Sequence, residues 1–166
     1  MVRVKLDAID LRILRDLQEN GRITNVDLAK RAGISPPPCL RRVRALEETG
    51  CIRGYHADLD PDVLGYGVKV FANVGLHSQA ETDLLSFEQL VASWPEVREC
   101  HMLAGETDFL LKIVATDWDA YQRFLTTRLT AAPNVSVVKS ALAIRSSKNL
   151  PGVPIEAEDR RETAAG

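Results

Sequence analysis

Arg41, Arg42 and Arg44 fall within four positions of one another, with Ser35 upstream and Arg53 downstream. A guanidinium is a planar fork that meets two acceptors at once, so this group can pair with guanine O6/N7 or with phosphate oxygens. Ser35 and the start of the helix it would cap offer a further place for a phosphate. A second set is Gly105-Glu106-Thr107-Asp108, lying between two apolar runs. Glycine lets a ligand come close to the backbone, and Asp108 can accept a hydrogen bond from an ammonium group. On spacing alone, a plain hairpin with Asp at the turn is the simpler reading of that segment.

Other chemistries find no residues to carry them. His56, His77 and His101 are far apart, and Cys100 beside His101 points to the opposite face if the two share a strand, so no metal site is expected. There is no Gly-x-Ser-x-Gly elbow and no cysteine with an identifiable base, so no catalytic residue, enzyme activity or cofactor is assigned. Cys39, Cys51 and Cys100 are odd in number and lack CxxC spacing. They read as reduced, mostly buried thiols.

The arginines need a rigid helix beneath them. Leu6 to Gly21 shows helical spacing at Ile9, Ile13, Leu14 and Leu17, opens with Asp7 as N-cap and closes at Asn20-Gly21. A short second helix is capped by Thr24 and ends at Gly33, where a left-handed turn suits glycine. A third begins at Ser35, with Pro36, Pro37 and Pro38 in a first turn that needs no N–H. Its inward stripe is read as Leu40, Val43 and Leu46, with Arg41, Arg44 and Ala45 outward. Cys51 to Ala57 then reads as a short hairpin or wing. The second and third helices, joined by a three-residue turn, have the spacing of a helix-turn-helix that sets its second helix in a major groove. A three-helix interaction module with solvated arginines stays open on spacing alone.

From Val68 the apolar period changes to two. A strand to Leu76 is followed by a helix with Leu84, Phe87, Val91 and Trp94 on one face. Two strands, Val97 to Leu103 and Phe109 to Ala115, form a hairpin around Gly105. A helix capped by Thr116 and a last strand, Val135 to Ile144, complete the order β-α-β-β-α-β, the ferredoxin-like arrangement. The fold class is therefore α+β, with residues 1–60 as a helix-turn-helix domain, a linker at about 58–67, a ferredoxin-like domain over 68–145 and a mobile tail over 146–166. Both faces of parts of the sheet are apolar, so its open face is expected to pack on a second copy.

With 166 residues and 45% apolar content, the chain is of ordinary globular composition. Its net charge of −2 conceals an asymmetry: residues 1–58 carry eleven Lys and Arg against eight Asp and Glu, whereas residues 59–166 carry ten against fifteen. Only the front half is suited to a polyanion. No segment is long and apolar enough to be expected to cross a membrane, and the charged start is not a signal peptide, so a cytoplasmic location is expected.

The string Leu6-Asp7-x-x-Asp10, Asn20-Gly21-Arg22-Ile23-Thr24-Asn25, Gly33-Ile34-Ser35-Pro36 and Cys39-Leu40-x-Arg42-Val43-x-x-Leu46-Glu47 closely resembles the leucine-responsive regulatory protein/AsnC family. Gly50-x-Ile52-x-Gly54-Tyr55 looks like that family's wing, and Glu99-Cys100-His101 with Gly105-x-x-Asp108-x-Leu110-Leu111-Lys112 looks like the core of its effector-sensing RAM domain. The resemblance implies a transcriptional regulator that binds double-stranded DNA and responds to a small effector, usually an amino acid. It also implies a homodimer assembling into higher oligomers, often octamers. By position, the effector crevice would include Met102, Gly105 and Asp108, with Trp118, Ala141 and Leu142 nearby. Pro37 departs from the polar residue common in relatives and removes one possible DNA contact; Ala141 is small and could enlarge the pocket. Two other readings remain: a nucleoid-organising protein with little ligand control, and an amino-acid-binding regulatory subunit of an enzyme.

Overall fold

The computed structural model describes residues 5–155, and the chain divides into two compact units. The first runs to Asp58 and takes in the returning segment from Asn149; the second is Leu59–Lys148.

In the first unit, α1 (Ala8–Glu19), α2 (Asn25–Ala32) and α3 (Pro36–Glu48) enclose Ile13, Leu28, Ala29, Ala32, Cys39 and Leu46. Helix α1 starts at a reciprocal cap. Asp7 accepts from the Asp10 N–H at 2.9 Å, and the Asp10 carboxylate accepts from the Asp7 N–H at 3.1 Å. Thr24 caps α2 by accepting from the Asp27 N–H, and Gly33 ends it at φ 76°. The Ile34 N–H then returns to the Ala29 carbonyl, satisfying a carbonyl that the finished helix leaves over.

Three expectations are corrected in this unit. Leu40 is 40% exposed; Cys39, Val43 and Leu46 face the core instead. Ser35 stands at the N-cap of α3 but makes no side-chain cap hydrogen bond, because the positions whose N–H it would accept are Pro37 and Pro38. Residues 51–57 form no hairpin. They run as coil held by Ile52, whose N–H donates to the Leu46 carbonyl, and by Tyr55, whose hydroxyl donates to Glu47 at 2.9 Å.

The second unit holds β1 (Val68–Leu76), α4 (Glu81–Ala92), β2 (Val97–Met102), β3 (Phe109–Ala115), α5 (Trp118–Phe124) with a following π-helical turn Leu125–Leu129, and β4 (Val135–Leu142). The sheet order is β2-β3-β1-β4, antiparallel throughout. Alternation sends Val70, Ala72, Val74, Phe109, Leu111 and Ile113 to the helix side. There they meet Phe87 and Val91 of α4 and Tyr121 and Phe124 of α5 in one core. The helix at Trp118 is capped by Asp117, not Thr116: Asp117 accepts from the Ala120 N–H at 2.7 Å while Thr116 donates to the Asp117 carboxylate. The segment expected as linker is a folded turn, with the Asp60 carboxylate accepting from Asp62 and the Tyr66 N–H donating to Pro61 O.

Of the three thiols only Cys39 is buried; Cys51 and Cys100 are exposed, which corrects the expectation of mostly buried cysteines. The tail also differs from expectation. Gln18 donates to the Val153 carbonyl at 2.8 Å and accepts its N–H at 3.0 Å, so this stretch belongs to the first unit. Gly152 sits at φ 70°, where a Cβ would overlap the Gln18 amide. The rest of the expected mobile tail, 156–166, lies outside the described residues. Substituting Gly152→Ala should therefore release the segment: hydrogen exchange at the Val153 amide should rise by at least tenfold while the α1 amides keep their protection.

Candidate nucleic-acid interface and ligand-binding region

Helix α3 is held at its first residue and at its middle. The Asn25 side chain donates to the Pro36 carbonyl at 2.9 Å, tying the first turn of α2 to the first residue of α3. Its middle is held by Arg42, whose Nη1 lies 2.7 Å from both Asp7 and Asp10. Arg42 thus lies on the α1 side, held by the two carboxylates that form the α1 cap. The arrangement holds Asp7 below the usual carboxylate range, through the Asp10 backbone N–H first and Arg42 second. The Arg42 guanidinium is raised in turn, chiefly by Asp10 and then Asp7.

Consecutive side chains on a helix diverge by about 100°, so Arg42 and its neighbour Arg41 do not share a task. Arg41 and Arg44 are exposed, as is Arg53, and among the described residues none of the three makes an ion pair. Ser35 and Pro37 are exposed at the start of the same helix. Pro36, Pro37 and Pro38 remove the first three helical N–H groups, so the expected phosphate site at this helix start is reduced to the Ser35 hydroxyl and backbone N–H. The face is basic through its side chains alone.

In the second unit the six expected effector residues fall into two groups. Met102 pairs with Phe109, and the Asp108 N–H donates to the Val74 carbonyl, at one end of the sheet. Ala141 and Leu142 pair with Phe71 and Val70 at the other, where Trp118 begins α5. Four residues of strand and three inter-strand spacings put Met102 roughly 20 Å from Leu142. Leu142 and Ala141 also face opposite sides of the sheet, since their partners Val70 and Phe71 do. Met102, Trp118 and Leu142 are exposed large side chains, at 61%, 46% and 50%. A Cβ at Gly105 would meet nothing within 4 Å, so the protein's own packing does not demand glycine there.

Asp108 already has a structural partner. The β1–β4 register shifts between Gly75 and Leu76. On the opposite edge of β1 the β3 ladder ends at Val74, and the Leu76 N–H beyond it is accepted by the Asp108 carboxylate at 2.6 Å. Gln79 donates to the same oxygen at 3.4 Å and to the Leu76 carbonyl at 3.2 Å. Gly75 is required at this bulge, because a Cβ would lie 2.8 Å from Val137. Ser78 and Asn134 exchange two hydrogen bonds beside it. Sequence reasoning missed Gly75, Gln79 and Ser78; the isolated glycine in a strand was the one readable signal.

A groove of about 320 Å³ lies elsewhere, between α4 and β2, lined by Glu88, Val91, Val97, Arg98 and Cys100 among others. It includes none of the six expected residues. Cys100 is surface-accessible, yet enclosure in this groove and the nearby Glu88 carboxylate push its thiol up to about 11, so it is un-ionised and a poor nucleophile at neutral pH. Among the described residues no cluster of His, Cys, Asp or Glu could hold a metal ion, and no helix is long and apolar enough to cross a membrane.

Residues 6–53 match the model for a winged helix-turn-helix DNA-binding domain, and residues 69–153 match the Lrp/AsnC ligand binding domain. The chain belongs to the Lrp/AsnC family. A Rhizobium meliloti leucine-responsive regulatory protein is 54% identical over 149 residues, covering 90% of this chain and 96% of the relative. A Bkd operon transcriptional regulator from Pseudomonas aeruginosa is 44% identical, covering 86% and 93%. Among solved structures, a Neisseria meningitidis transcriptional regulator in an L-Met complex superposes with a TM-score of 0.86 at 39% identity, covering 90% of this chain and 97% of that one. Escherichia coli AsnC superposes at 0.82 with 26% identity, covering 91% and 100%. These Lrp/AsnC relatives are DNA-binding regulators and not enzymes, and this chain carries both of the family's domains.

Two outcomes follow from the geometry. Because Asp7 is lowered in the folded state, its contribution is present above its ordinary value of 3.8 and is lost as pH falls through the lower folded value. From about pH 5 downward, amide protection in α1 and α3 should fall more steeply for the native protein than for Asp7→Asn. Asp108→Ala, which leaves the Leu76 N–H unsatisfied, should cost about 1–3 kcal/mol in urea unfolding, and Asp108→Asn, which keeps an acceptor, less than half of that.

Proposed function

We propose that this protein is a sequence-specific transcriptional regulator whose DNA affinity is set by a small metabolite, an amino acid. The observation that carries the reading is the exposed, unpaired face of α3, with Arg41 and Arg44 outward and Arg53 beyond them, joined in one chain to an Lrp/AsnC ligand-binding domain. Arg41, Arg44 and Arg53 meet DNA, and Ser35 donates to a phosphate. Arg42 is left out of the contact set because its Nη1 is held by Asp7 and Asp10.

An amino-acid effector is supported by the L-Met complex of the Neisseria relative and by the Rhizobium relative's being a leucine-responsive regulatory protein. An amino acid is too short to span the roughly 20 Å that separates the two groups of expected residues in one copy. The Met102-Gly105-Asp108 group therefore receives the ligand together with Trp118, Ala141 and Leu142 of another copy. The open face of the sheet supports such assembly: Phe71, Leu110 and Val114 lie there without cover from either helix. A homodimer through this face, with dimers gathering to an octamer, buries it. Ligand binding between copies then favours one arrangement of the helix-turn-helix units, with a coupling of about 1–3 kcal/mol. Such a protein works where the DNA is, in the cytoplasm.

The test is binding of the purified protein to DNA upstream of its own gene, across salt, with each of the twenty amino acids in turn. If a dimer neutralises about six phosphates, log K falls against log salt with a slope near −5. Arg41→Ala and Arg44→Ala should each weaken binding by about 1–3 kcal/mol without changing the oligomer. One or more amino acids should shift the affinity, and Asp108→Asn should blunt that shift. A slope near zero would remove the DNA reading, and indifference to all twenty amino acids would remove the amino-acid effector.

A further inference from the structure

The outward face of α3 is not a uniform row of donors. Residues 40, 44, 37 and 41 fall in that order within an arc of about 100° on one side of the helix and are all exposed. Two of them are apolar. Leu40 is 40% exposed and takes no part in the core cluster of its unit, and Pro37 stands one turn ahead of it. The backbone beneath them adds no donor, since Pro36, Pro37 and Pro38 have no N–H and the Cys39 N–H is spent on the Ser35 carbonyl. Between Ser35 and Arg41, therefore, the exposed side chains that a base edge meets on this helix are carbon alone.

In helix-turn-helix docking, the N-terminal residues of the second helix are the ones that contact base edges. Among those edges in the major groove, the C5 methyl of thymine is the apolar feature. We propose that Leu40, with Pro37 beside it, reads thymine methyl groups and is a specificity-determining residue, while Arg41 and Arg44 make the polar contacts further along the helix. The inference rests on the DNA-binding reading above. It accounts for a leucine that the fold leaves in water although Val43 and Leu46 on the same helix are packed inward.

The experiment selects tight-binding duplexes for the full-length protein from a random-sequence pool, then replaces each thymine singly by deoxyuracil, which removes only the methyl. At one or two thymines per half-site the native protein should lose about fourfold in affinity, the worth of one buried methyl. Leu40→Ala should bind the thymine duplex more weakly and show no further loss on the uracil duplex at those positions. Its melting temperature and oligomer mass should match those of the native protein. Uracil substitution without effect at every thymine would overturn the proposal, as would a Leu40→Ala protein that is as sensitive to uracil as the native one. A changed oligomer mass with unchanged base preference would overturn it in favour of a protein contact at Leu40. If no duplex binds even at low salt, the DNA-binding reading fails and this inference with it. Binding without any thymine signal fails the inference alone.

Discussion

Strand β1 has to satisfy its backbone on both edges, and most of the second unit follows from that requirement. It pairs with β3 along one edge and β4 along the other, with Val70, Ala72 and Val74 fully buried between them and the helices. The last strand of the unit is thereby laid beside the first. Beyond Val74 the β3 ladder ends and leaves the Leu76 N–H without a strand partner, and an unpaired donor at that depth has to be met. Asp108 meets it, which fixes the end of the loop that carries Gly105. A hydrogen-bond obligation of the sheet thus determines where the candidate ligand loop sits.

The first unit obeys the same accounting with a different outcome. Two carboxylates that cap α1 also anchor Arg42, so the start of one helix and the middle of another are held by a single group of charges. That engages Nη1 of one of three neighbouring arginines and leaves Arg41 and Arg44 without an ion pair among the described residues. Three prolines allow α3 to begin abruptly after the Gly33 turn at little conformational cost. They also strip the helix start of donors, so what the helix can recognise depends on side chains, carbon as well as nitrogen.

Much of this was legible from short-range pattern. The caps at Asp7 and Thr24, the turn at Gly33, the change of period at Val68 and the βαββαβ order all rest on interactions within a few residues, and such interactions repeat wherever the same spacing occurs. Where local reasoning erred, a neighbour intervened. Ser35 could not cap because prolines followed it, and Asp117 displaced Thr116 because its carboxylate reaches the same turn. Leu40 was assigned to the core by a spacing that fits Leu40, Val43 and Leu46 as well as Cys39, Val43 and Leu46. Only packing against α1 and α2 separates the two stripes.

The sequence by itself determined the two-part α+β organisation, the elements and the family, because periodicity, capping and motif spacing are properties of neighbouring residues. Tertiary structure alone decided which arginine is held by carboxylates 35 and 32 positions away, that Asp108 serves a strand 32 positions upstream, and that Gln18 clasps Val153 across 135. It also parted the six expected effector residues between opposite ends of one sheet. Contacts at such separations are set by where the packed core brings the chain, and no local spacing encodes that.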